Sequence, residues 1–291
     1  MPPTQNISEK PPIAVAPAAA DVRRHIVEIG GIPIALRTRD EEFSQILAQR
    51  YAGFLSFSEP AFEIELDLDF FGTPPLPGDL RVCHQDGEWL LERSDFQARC
   101  NLRTGRGVVR QGPNPYSIDT VLRILHSLFL ASRQGFLLHS ASGICDGRAL
   151  LFSGISGAGK TTLSRLAPAD VTLLSDEISY IRCQGDGYAA YGTPFFGELA
   201  RPGANSAAPV SALFLLEQGP QNRVEDMPPA EAMHRLLRNI LFFAEDRELV
   251  EKILATACDF VSRVPVRRLV FYPDSKVWDS IRRFEGAALH A

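Results

Sequence analysis

Apolar and polar positions alternate along the first third of the chain. Phe62-Glu63-Ile64-Glu65-Leu66-Asp67-Leu68-Asp69-Phe70 repeats with a period of two, which predicts a strand with one buried and one wet face. The alternation sends all four carboxylates to the wet side, so they read as a solvated face and not as a metal cluster. Residues 26–29 and 32–36 are apolar stretches around Gly30-Gly31 and predict a hairpin. Residues 89–92 and 96–99 predict further short strands, and 41–51 the single helix of this region. Residues 72–78 hold Pro74, Pro75 and Pro77 and predict a loop.

The pattern breaks at Gln111-Gly112-Pro113-Asn114-Pro115, which marks a domain boundary. Ser117-Ile118-Asp119 then predicts the capped start of an apolar helix running to about Gln134, with Gly135 as its stop. Strand patterns follow at 136–139, 149–153, 171–174, 178–183, 188–191, 210–216 and 265–272. Asp146-Gly147 supplies a tight turn between the first two. Helical periods occupy 230–243, 245–261 and 277–284. The expected organisation is a disordered lead-in at 1–20, a β-rich N-terminal domain at 21–112, and an α/β (α+β) domain at 113–291.

Composition narrows the class. The chain has 291 residues, 45% apolar and 22% charged, which excludes a disordered chain, a coiled coil or a collagen. A net charge of −5 gives no electrostatic case for nucleic acid. Apolar runs are too short for a bilayer: 121–130 is interrupted by Arg123, His126 and Ser127 and reads as a buried helix, so no membrane association is expected. The first twenty residues lack the basic start and apolar core of a signal peptide and hold five prolines, at 2, 3, 11, 12 and 17. The five cysteines are scattered without a C-x-x-C pair and read as reduced thiols in a cytoplasmic protein. Only Lys10, Lys160, Lys252 and Lys276 are lysines, so Lys160 stands alone among arginines, as a site needing a compact ammonium would have it.

The chemistry is concentrated in Gly154-Ile155-Ser156-Gly157-Ala158-Gly159-Lys160-Thr161, which matches G-x-x-x-x-G-K-[ST] between an apolar strand and a helix. Glycines let backbone N–H groups turn inward onto phosphate oxygens, and the helix start adds partial positive charge. Lys160 is placed to reach the terminal phosphates of ATP, Thr161 to offer its hydroxyl to Mg2+, and Thr162 to add a phosphate contact. Downstream, an apolar strand ends in Asp176-Glu177. One acid is expected to hold Mg2+ and the other to accept a hydroxyl proton, and the residues alone leave the division open. His139 closes an apolar strand ahead of the loop, and His126 sits inside the apolar helix as a structural residue. The turn-rich stretch Gly192-Thr193-Pro194-Phe195-Phe196-Gly197-Glu198 leads to Arg201, a candidate cation for a transferring phosphoryl group.

His139, then the 154–161 loop, then Asp176-Glu177 resembles the catalytic domain of the HPr kinase/phosphorylase family and its related kinases. The resemblance covers 135–216 firmly. It implies a core like that of phosphoenolpyruvate carboxykinase, ATP with Mg2+, and phosphoryl transfer to a serine hydroxyl. It assigns Asp176 as general base assisted by His139, and Thr161 as a metal ligand. Two departures stand out. The second acid is Glu177 where the family has Asp, and the glycine-rich segment linked to phosphorylase activity is not recognisable. The chain looks more like the stand-alone kinases found beside peptide-modification genes, which implies a serine on a peptide or small protein as acceptor. A homo-oligomer is within what the resemblance implies, since the bifunctional family forms a hexamer. A small-molecule kinase and a non-catalytic ATP sensor or adaptor are the alternative readings. The GTPase N-K-x-D and the ABC L-S-G-G-Q segments are both absent. The N-terminal domain is a candidate acceptor dock, with the strand edge at 62–70 pairing to an extended peptide.

Overall fold

Two sheets carry the chain in the computed structural model, which describes residues 22–70 and 72–288. The lead-in expected at 1–20 lies outside the described residues. The first sheet begins with the expected hairpin, β1 (Arg23–Ile29) and β2 (Ile32–Thr38), followed by α1 (Glu41–Arg50). Asp40 caps α1 by accepting from the Phe43 amide. Next come β3 (Phe62–Asp67), β4 (Arg81–Gln85), β5 (Glu88–Arg93), β6 (Phe96–Asn101) and β7 (Arg106–Gln111). The order is β1-β2-β3-β7-β6-β5-β4. β3 keeps its period of two, with Phe62, Ile64 and Leu66 buried. It lies inside the sheet, parallel to both β2 and β7, so its backbone is already paired on both sides and 62–70 is no docking edge. β4 and β7 were not legible as strands: β4 is exposed along most of its length, and β7 alternates in burial but turns Gly107 and Gln111 inward while leaving Val108 exposed.

Asn114, and not Ser117 or Asp119, caps α2 (Pro115–Ala131), accepting from the Tyr116 and Ser117 amides. Proline at the first helical position costs no hydrogen bond there, and Asp119 is freed to turn inward. The helix stops before Gly135; Gln134 takes the left-handed backbone (φ 53°) instead.

The second sheet has nine strands. β8 (Gly135–Cys145) and β9 (Arg148–Ser153) form a hairpin, and α3 (Lys160–Arg165) follows. Then come β10 (Thr172–Ser175), β11 (Ile178–Gln184), β12 (Gly187–Tyr191), β13 (Ala207–Gln218) and β14 (Arg223–Asp226). The chain ends with α4 (Pro229–Leu237), β15 (Ile240–Leu241), α5 (Arg247–Arg263), β16 (Val266–Phe271) and α6 (Lys276–Ala288). β8 runs on past His139, which therefore sits within a strand and not at its end. The helix expected over 230–243 stops at Leu237, because Asn239 caps the Arg235 carbonyl with its side chain and gives its own carbonyl to the His139 amide.

Helices cover both faces of the second sheet: α4 and α5, with Phe260, lie over Phe136 and Leu213, and α3 and α6, with Trp278, lie over Phe152 and Phe214. A third apolar cluster joins Ile34, Ile64 and Phe96 of the first sheet to Leu122, Leu125, Ile178, Tyr180 and Phe195. The breaker at 111–115 thus separates two sheets that share one core. Among the described residues no helix is long and apolar enough to cross a membrane.

Candidate functional site

β9 lies between β8, antiparallel, and β13, parallel, and the glycine-rich loop leaves from its end. Ser153 is buried there and donates its hydroxyl to the His139 carbonyl at 2.8 Å. Two glycines are required sterically. A Cβ at Gly154 would lie 2.8 Å from Cβ of Ala158. Gly159, the residue before α3, has φ of 106°, and a Cβ there would lie 2.5 Å from the Phe271 ring. Ala158 closes a turn on the Ile155 carbonyl at 3.1 Å, and Gln218 of β13 ties the Gly157 carbonyl at 2.7 Å. Lys160 folds back over this loop, its Nζ donating to the Gly154 carbonyl at 2.8 Å and to Ile155 at 3.4 Å. Burial pushes its ammonium down, with Glu177 and Glu198 acting the other way.

The acid pair occupies the turn between β10 and β11. Ser175 holds that turn, its hydroxyl oxygen accepting from the Glu177 amide at 3.1 Å and from Ile178 at 2.9 Å. Asp176 is buried, and each oxygen accepts a backbone N–H: Oδ1 from Gly197 at 3.0 Å and Oδ2 from Leu199 at 2.9 Å. Glu177 pairs with Arg123 of α2 at 3.5 Å. Burial pushes its carboxyl up; Arg123 opposes this, and the Asp176 charge adds to it. His139 faces the same space from β8. Burial, then the charges of Lys160 and Arg123, hold its imidazole below the ordinary value, so it is neutral near pH 7.

Two hollows meet at the loop. The smaller, about 270 Å3, is lined by Lys160, Thr161, Thr162, Asp176 and Glu177 with Gly159. The larger, about 880 Å3, is lined by Gly154, Ile155, Ala158, Arg235, Arg238 and Asn239. His139, Ser156 and Gly157 line both. The structure therefore brings together every loop residue singled out in the sequence, both acids and His139. Arg201 is not among them. The chain reverses as the Ala200 amide bonds the Gly197 carbonyl, and Arg201 emerges exposed, lining neither hollow. Arg123 and Arg238 were missed. Arg238 is exposed in the larger hollow and makes no ion pair among the described residues, whereas Arg235 is taken up by Glu217 and Glu231. Neither arginine belongs to a recognisable motif; only the folding of α2 onto β8, and of α4 onto α5 and β16, carries them here.

Two further hollows lie on the wet face of the first sheet; in one, Arg37 pairs with Glu63 and Arg99 with Glu88, and in the other Asp67 pairs with the neighbouring Arg110. The residues of the loop cleft fit a nucleotide with its metal. Among the described residues no group of three or more His, Cys, Asp or Glu could cage an ion. Thr161, Asp176 and Glu177 instead offer a hydroxyl and two carboxylates beside a phosphate cradle. Mg2+ is typically held this way, through one or two carboxylates plus phosphate oxygens.

No curated protein matches the chain. Among solved structures it is similar to the Hpr(Ser) kinase/phosphatase from Coxiella burnetii, at 12% identity over 53% of this chain and 95% of that one, with a TM-score of 0.28. The family model for SynChlorMet cassette protein ScmC matches residues 116–284, more than half of the sequence, and the chain belongs to that family.

Proposed function

We propose that the cleft transfers the terminal phosphoryl group of ATP to a serine hydroxyl of a peptide or small protein. The observation that carries the reading is the position of Lys160 and Thr161, at the end of a glycine cradle, in one hollow with Asp176, Glu177 and His139. Lys160 exchanges its loop carbonyls for the β- and γ-phosphate oxygens. Thr161 and Glu177 would hold Mg2+, which would neutralise phosphate charge. Asp176, held by two amides, takes the proton from the serine hydroxyl as that oxygen bonds to phosphorus and ADP leaves. Neutral His139 stands at the mouth that the two hollows share, where its imidazole would hydrogen-bond the acceptor hydroxyl and assist Asp176.

In this reading the acceptor peptide lies in the larger hollow and its serine reaches Asp176 across the mouth that His139, Ser156 and Gly157 share with the smaller one. Gly154 and Ile155, whose carbonyls Lys160 touches, line the larger hollow, so the terminal phosphoryl would face it. Arg238 then supplies the free cation on that side, the role first given to Arg201.

The test is mass spectrometry of the peptide or small protein encoded beside this gene, after incubation with the protein, ATP and Mg2+. The expected result is a gain of one phosphoryl group that Lys160→Ala abolishes. Asp176→Asn is expected to keep ATP binding and to slow transfer about 10²- to 10⁴-fold. An unmodified peptide with ATP bound would overturn peptide transfer and favour a small-molecule acceptor or a sensor.

A further inference from the structure

The segment that grips Asp176 is stacked on by an arginine that lies ahead of the matched residues 116–284. Arg50 is the last residue of α1, with a side chain only 10% exposed. Its guanidinium pairs with the buried carboxylate of Asp119, which also accepts the Tyr51 hydroxyl at 2.6 Å. The Cζ of the same guanidinium lies over Phe196, 4.0 Å from the ring centroid, with the Tyr116 ring farther off at 6.0 Å. Phe195 beside it is fully buried, with Arg123 5.1 Å above its ring. The amides of Gly197 and Leu199 then hold the two oxygens of Asp176. A five-residue segment is thus anchored by two arginines at its aromatic end and grasps the acid at the other.

We propose that Arg50 is a positioning residue: by stacking on Phe196 it holds the 195–199 segment so that Gly197 and Leu199 fix the Asp176 carboxylate. The N-terminal unit is then a working part of the site and not only a covering sheet. Its effect on turnover rests on the phosphotransfer reading; the hold itself does not.

Two substitutions separate the stack from the buried ion pair. Arg50→Lys keeps a cation beside Asp119 but removes the planar face. Phe196→Leu keeps an apolar side chain and leaves the Arg50–Asp119 pair intact. Phe196→Tyr restores an aromatic face and serves as the rescue. The measurement is amide hydrogen exchange at Gly197 and Leu199 in the full chain without nucleotide. Both amides are expected to exchange about 2- to 30-fold faster in Arg50→Lys and Phe196→Leu, the span of a cation–π contact. Amides of β8 and α2 stay as in the parent, and Phe196→Tyr returns to parent protection. In turnover assays the first two variants lower kcat per folded, ATP-binding molecule, counted by titrating the nucleotide site, with KM for ATP unchanged; a general loss of stability would lower the number of such molecules and leave their kcat unchanged. Unaltered exchange at both amides in Arg50→Lys and Phe196→Leu overturns the hold. A parent protein that transfers no phosphate overturns the reading of the cleft, while exchange alone still decides the hold.

Discussion

Gly159 shows how much one position can carry. Its backbone sits at φ 106° and its missing Cβ leaves room for the Phe271 ring. Gly159→Ala is therefore strained twice, and we expect a loss of about 1–3 kcal/mol in denaturant unfolding together with weaker ATP binding. Lys160, Thr161 and the glycines were legible because their spacing is itself the chemistry: the cradle is local in sequence. Arg201 and Arg238 were not distinguishable that way. Arg201 stands in a turn-rich segment and Arg238 inside an apolar helical period, and what separates them is the reversal at Ala200 and the capping of α4 by Asn239. An arginine acting from another element leaves no spacing to read. Arg238→Ala is expected to lower kcat with ATP affinity retained, and a steady-state comparison of kcat with the ATP dissociation constant checks it.

At the scale of elements, α2 joins the two sheets and carries a pH liability. His126 is fully buried, and its ring nitrogens have no hydrogen-bond partner among the described residues. Burial, and secondarily the Arg133 charge, push its imidazole down to about 3. The unfolded chain takes up a proton below the ordinary value of 6.5, while the folded chain stays neutral until about 3. The penalty is absent above pH 6.5 and grows as pH falls, at about 1.4 kcal/mol per pH unit. His126→Leu should leave stability at pH 7 equal or higher and flatten this slope between pH 6.5 and 4, as read from denaturant melts across pH. An unchanged slope would show that His126 is not the group that titrates. Sequence pattern located α2 and judged His126 structural, yet placed its cap at Ser117-Ile118-Asp119. Asn114 and Pro115 had been read only as breakers, and the same two residues start a helix as well as a loop. The helix expected over 230–243 failed for a similar reason. A continuous apolar period hid the stop at Asn239, whose backbone and side-chain bonds are made to β8 and Arg235.

Across the whole molecule, the boundary written into the sequence is a boundary of elements and not of packing. Ile118, Leu122 and Leu125 of α2 share an apolar cluster with Ile34, Ile64 and Phe96 of the first sheet. A fragment of residues 113–291 would expose that face, and we expect it to lose cooperative unfolding; a sharp thermal transition for the fragment would argue otherwise. Composition and pattern revealed a mixed α/β chain with a strand-rich front. They did not reveal the shared core, because burial between distant segments has no period. The account stands or falls on the cradle facing the acid pair. Its most direct test is a calorimetric titration of the full chain with ATP in the presence of Mg2+, repeated with Lys160→Ala and Asp176→Asn. The account predicts one saturable site whose affinity drops at least about tenfold in Lys160→Ala, a change of about 1.4 kcal/mol, and is kept in Asp176→Asn. Equal affinity in the parent and Lys160→Ala, or no saturable binding in the parent, would contradict it.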